Sequence, residues 1–70
     1  MATYRTIIWQ EEEIWTAHAP AVPGVYGVGA TPKAASNDLA GALHEMFDYL
    51  DEIDEEHPAP APVRFGEINI

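Results

Sequence analysis

The sequence predicts an α+β fold: a small antiparallel sheet of three to four strands with one long helix packed across it, in the order β-β-β-α-β. Three observations carry this expectation. Short β-branched and aromatic runs, separated by turn residues, fill the first part of the chain. From Pro32 onward the apolar positions change to helical spacing and keep it for about six turns. Between the two regimes, residues 20–40 hold a turn, a strand and a helix start in immediate succession.

The first strand is read over residues 3–10, T-Y-R-T-I-I-W-Q. Strand alternation puts Tyr4, Thr6 and Ile8 on one face and Arg5, Ile7 and Trp9 on the other. Both faces carry bulk, so one is expected to meet the helix and the other a second subunit. Residues 10–13, Q-E-E-E, are the natural hairpin turn, and the acidic triplet reads as solvated rather than as a cation site. Residues 14–19, I-W-T-A-H-A, form the returning strand. Trp15, Ala17 and Ala19 share a face there, and the small Ala side chains leave room for a helix to sit close. His18 lies opposite them with Ile14 and Thr16; no second ligand or base stands near it, so it reads as a half-exposed strand residue. Pro20 and Pro23 end the strand, because proline cannot donate to the ladder. Pro23-Gly24 then marks a type II turn.

The third strand is read over residues 25–29. Gly24, Gly27 and Gly29 lack the G-x-G-x-x-G spacing and the Lys-Ser/Thr of a phosphate loop. Gly27 reads instead as a bulge or a close approach of another backbone. Thr31-Pro32 opens the helix: the hydroxyl can accept from a free N–H, and proline at the first position loses only a donor without a partner. Ala35, Leu39, Ala42, Leu43, Met46, Phe47, Leu50 and Ile53 form its apolar stripe, which runs to about Glu55. Such a helix measures roughly 35 Å, longer than a small sheet needs, so its far end is expected to project. The closing run D-E-I-D-E-E puts negative charge at the negative end of the helix dipole, which frays it unless a cationic partner or a second subunit is present. His44 and Asp48, one turn apart, lack a third ligand and read as a solvated face. Residues 57–62, H-P-A-P-A-P, are a stiff linker. Residues 63–70, V-R-F-G-E-I-N-I, read as a last strand, open to exchange between subunits. The expected organisation is a domain over 1–56, a linker over 57–62 and this strand.

Seventy residues make one domain that buries only about 60% of its unfolded surface. The chain has no cysteine, so neither a disulfide framework nor a thiolate metal site is available. Apolar residues make up 47%, too many for disorder, and their excess points to a homo-oligomer. Trp9, Phe65 and Ile68 are the candidate oligomer contacts. Twelve Asp and Glu against three Lys and Arg give a net charge of −9, which leaves no basic footprint for nucleic acid and favours a basic partner. No apolar run approaches the ~20 residues of a membrane span, and the N-terminus lacks a signal pattern. A cytoplasmic location is expected, with no cofactor, no metal and no membrane contact.

A further pattern resembles the HicB antitoxin family, the small antitoxins of HicA–HicB toxin–antitoxin systems. The residues that carry it are Trp15-Thr-Ala17, then Ala19-Pro20-x-Val22-Pro23-Gly24, then Gly29-Ala-Thr31-x-x-x-Ala35, then Leu39-x-x-Ala42-Leu43. Ala34 stands where the family usually has an acidic residue, and Ala30 replaces the Asp of a common Gly-Asp-Thr. The resemblance is to a short form lacking a DNA-binding tail. It implies a partial ribonuclease H-like fold without nuclease activity, since no strand interior before Glu67 carries a carboxylate to hold metal ions. It also implies a small basic HicA-like toxin, an mRNA-cleaving ribonuclease, as partner. The expected function is therefore non-catalytic protein binding through the acidic helix face: Glu45, Asp48, Asp51, Glu52 and Glu55, with Tyr49. An orphan homo-oligomeric module with no toxin is the second reading. An enzyme or metal site built on His18, His44 and His57 is the third and weakest.

Overall fold

The computed structural model describes residues 2–70. Strands β1 (Ile7–Glu11), β2 (Ile14–His18) and β3 (Tyr26–Gly29) form an antiparallel sheet in the order β1-β2-β3, and helix α1 (Pro32–Glu52) packs across it. The expected α+β architecture is present for its first four elements.

The register fixes which side chains face the helix. Ile8 pairs with Ala17 and Ala17 with Gly27; Gln10 pairs with Trp15 and Trp15 with Gly29. Paired residues share a face, so this set lies toward α1. Ala17, Ala19 and Val22 from the sheet side meet Ala35, Leu39 and Leu43 of the helix in the buried core. Tyr4, Trp15, Val25, Met46 and Phe47 pack around its margin. The core is built on small residues because the two layers touch backbone to backbone. A side chain at Gly27 would overlap the carbonyl oxygen of Ala35 and the backbone of Leu39. A Cβ at Gly29 would stand 2.6 Å from that of Ala34 and 2.8 Å from the Ala35 nitrogen. Close backbone approach, not a bulge, is the reason for glycine in this strand.

Each junction follows from local chemistry. Glu12 and Glu13 make a two-residue loop between β1 and β2, with Glu12 at φ 58°, and Gly24 takes φ 87° in the turn before β3. Thr31 caps α1 by accepting from the Ala34 N–H at 3.0 Å, with Pro32 in the first turn. Asp38 reaches from α1 to β3, where its carboxylate accepts from the Val28 N–H at 2.9 Å. That bond ties helix to sheet and occupies a donor on the outer edge of β3.

Besides one-residue shifts at the ends of β1, β2 and β3, three larger differences from the sequence reading stand out. β1 begins at Ile7, not residue 3, because its partner ends at His18, opposite Ile7, and Pro20 follows. The helix stops at Glu52, short of Glu55. There the Asp54 N–H donates to the Asp51 carbonyl at 3.2 Å and the Glu55 N–H to the Leu50 carbonyl at 2.8 Å. These are the paired bonds of a Schellman turn, with Asp54 at φ 56° in the position glycine prefers. The fourth strand is also not formed: residues 55–70 carry no helix or strand. Pro58, Pro60 and Pro62 remove three backbone donors on the approach, and no strand of the same chain lies beside residues 63–70.

Two substitutions test this account by chemical denaturation. Gly27→Ala in β3 should cost about 2–3 kcal/mol through backbone overlap, whereas Gly41→Ala, in open space on α1, should stabilise by about 0.5–1 kcal/mol. Equal effects at the two sites would contradict the close-approach argument. Asp54→Gly should raise stability by roughly 0.5–1 kcal/mol, by relieving the left-handed conformation and removing a carboxylate from the negative helix end.

Candidate functional site

The most polar surface is the outward side of α1. Glu45, Asp48, Tyr49, Asp51, Glu52 and Glu55 are all exposed, Tyr49 at 59%. The helical repeat sets Glu45, Asp48 and Glu52 on successive turns, and Tyr49 follows Glu45 by one turn. Only Asp51 among them has a side-chain partner, His57 Nε2 at 2.7 Å. The ring nitrogen donates and the carboxylate accepts. Sequence reasoning placed this set on one helix face; Glu45 to Glu52 do lie on the accessible end of α1, whereas Glu55 lies past the helix end, and the return of His57 onto Asp51 was missed.

That return is part of a strap. The ring of His57 stacks on Phe47 at 4.6 Å between centroids and 11° between planes, and Tyr4 lies against Phe47 at 5.7 Å. The Tyr4 hydroxyl donates to the Pro58 carbonyl. Phe47 is thus held between the chain before β1 and the chain after α1. Beside it opens a groove of about 390 Å³, lined by Ala2, Tyr4, Ala40, Leu43, His44 and His57 with Phe47. Its lining is apolar except for these three polar rings, and two of those rings already have partners. No residue pattern short of tertiary structure could have announced this contact, since Tyr4 and Pro58 are 54 positions apart.

The face of the sheet turned away from α1 is the second surface. It carries Ile7, Trp9, Ile14, Thr16, His18, Tyr26 and Val28, the alternates of the helix-facing set. No element covers it. Tyr26 and Val28 are each 54% exposed and Ile14 51%. The His18 ring stacks on Tyr26 at 4.8 Å, and its Nδ1 lies 3.3 Å from the Val25 carbonyl. Trp9 Nε1 donates to Glu11 at 2.9 Å. Of the candidate oligomer contacts, Trp9 is half-buried on this face, while Phe65 and Ile68 are exposed on the chain after the linker, at 85% and 87%.

The three histidines do not converge. His18 is on the outer sheet face, His44 on the groove rim and His57 on the strap. Among the described residues no three His, Asp or Glu side chains gather where a metal ion could sit. No buried side-chain polar atom among them lacks a partner. No helix is long and apolar enough to cross a membrane.

The strap has a direct test. Phe47→Ala removes the ring that Tyr4 and His57 grip, so residues 55–59 should become sensitive to limited proteolysis. Tyr49→Ala, on the exposed side, should leave them protected. Cleavage that is the same in both variants would show that the stack does not hold the segment. Compared with known proteins, the chain matches no family model, no curated protein and no solved structure.

Proposed function

We propose that this chain is a non-catalytic protein-binding domain of the HicB antitoxin type, acting in the cytoplasm on a small basic ribonuclease of the HicA type. The observation that supports the reading is the far end of α1, which presents Glu45, Asp48 and Glu52 beside an exposed Tyr49, with Glu55 exposed just past the turn that ends the helix. With a net charge of −9, the domain would steer a basic protein toward itself over several ångströms of solvent. An RNA-binding surface is basic by necessity, so carboxylates docked on it would compete with the phosphates of the substrate. Tyr49 would supply the apolar anchor at the centre of such a contact.

A homo-oligomeric module without a toxin is the second reading. It is favoured by the uncovered sheet face bearing Trp9, Tyr26 and Val28.

The discriminating experiment is co-expression with the adjacent short reading frame, read by co-purification and growth rescue. A stable complex and rescue are expected. The double variant Asp48→Lys, Glu52→Lys should weaken the complex at least tenfold, with most of the change in association rate and with a steep salt dependence. Full rescue by that variant would remove the helix face from the interface, and failure of the wild-type chain to co-purify would leave the oligomeric module.

A further inference from the structure

The two edges of the sheet are not alike. On β3 the outward Val28 N–H is occupied by Asp38. Among the described residues no strand pairs with the outer side of β1: the sheet ends there, and β1 carries no proline and no lysine to discourage pairing. The chain also contains a strand-like segment with nothing to pair with. Residues 64–70 are exposed throughout, including Phe65, Ile68 and Ile70. The molecule has a long axis of 42 Å and a radius of gyration of 13.4 Å. A compact chain of this length would have a radius of about 11 Å.

We propose that residues 63–70 of one copy add as an antiparallel fourth strand to the free edge of β1 in a second copy, and that the exchange is reciprocal. Charge sets the direction. Arg64 is the one cation of the segment, and Glu11, Glu12 and Glu13 cluster at the end of β1. Antiparallel alignment brings Arg64 beside Glu11. Four positions on, the same register brings Ile68 beside Ile7, and Phe65 falls opposite Gln10, on the face that carries Ile8. Parallel alignment would instead set Arg64 near Arg5.

Reach decides that the acceptor is a second copy. The Tyr4–Pro58 hydrogen bond anchors the linker at the Ile7 end of β1. Glu11 lies seven residues beyond Tyr4, roughly 24 Å along an extended chain. From Pro58 to Pro62 the stiff linker advances only about 12 Å. It cannot span β1 and then reverse to run back along it. A partner's segment arrives from outside and meets neither limit. Six large apolar side chains on two exchanged segments, at roughly 150 Å² each, cover on the order of 900 Å². With the matching area on the two acceptor edges, this enters the ~1,200–2,000 Å² range of stable interfaces. The proposal deepens the oligomer reading above and needs no toxin.

The purified chain alone provides the test, by sedimentation velocity over a wide concentration range. The full chain is expected to be a dimer, and a chain ending at Pro62 a folded monomer, with folding checked by circular dichroism. Arg64→Glu should weaken the dimer five- to tenfold, and adding Glu11→Arg should restore it. Because the protein has no cysteine, single-cysteine chains Gln10→Cys and Phe65→Cys can be mixed and oxidised. The mixed disulfide should then exceed both self-disulfides. A full chain that stays monomeric overturns the proposal. A dimer that survives loss of residues 63–70 would keep the oligomer reading but overturn the exchange. No recovery in the charge-swapped double variant would overturn the antiparallel register.

Discussion

Helix α1 can lie on this sheet only because position 27 has no side chain. The Ala35 carbonyl and Leu39 backbone occupy the space a Cβ would need, and Ala17, directly across the ladder, offers only a methyl group. This contact draws the helix onto β3 and β2 and leaves β1 at its margin, where Ile8 stays partly exposed on the helix side. A core assembled from three alanines, a valine and two leucines is thin. It is dense, because small residues let the layers approach, but it removes little apolar area from water. Trp15 stays at the core margin, but Trp9, Ile14, Tyr26 and Val28 stand on the outer sheet face, and the large apolar residues Met46 and Phe47 lie in the distal half of the helix.

That distribution explains why the distal half of α1 needs support of its own. Leu43 is the last buried residue of the helix, and Met46 and Phe47 beyond it are only partly buried at the margin of the core. Tyr4 and His57 close on it from either side, and His57 also offsets one carboxylate, Asp51, close to the negative end of the helix. The Schellman turn at Asp54 sends the chain back to make this possible. Termination of the helix and construction of the strap are one event, and the acidic run D-E-I-D-E-E serves it by making further helix unfavourable.

The strand and helix assignments were legible because each rests on local signals: alternation, Thr-Pro at the helix start, Pro-Gly in the turn. Gly27 was legible as a special position, though its two explanations could be separated only by seeing Ala35 and Leu39 above it. The acidic face was legible from the helical repeat alone. The sheet face bearing Trp9, Tyr26 and Val28 was not, because it depends on the pairing of Thr16 with both Trp9 and Val28, and register is a long-range property. Residues 63–70 exposed the opposite problem. Their alternation has the character of a strand, but a strand requires a neighbour, and a stiff linker withholds the one its own chain could offer.

Open edges and apolar faces usually threaten open-ended association, and this chain carries both. Two features bound that risk. Asp38 caps the Val28 N–H on the β3 edge, which makes that edge a poorer template for pairing than β1. The reciprocal exchange proposed above would consume both β1 edges of a pair and both free segments, which would make a closed two-fold arrangement and not a filament. The charge acts in the same direction. At −9 per copy, each added subunit would meet growing repulsion, and the proposed contact of Arg64 with the acidic turn would recover part of that cost. The excess of carboxylates that would suit the distal helix to the proposed basic partner would thereby also limit how many copies of the chain come together.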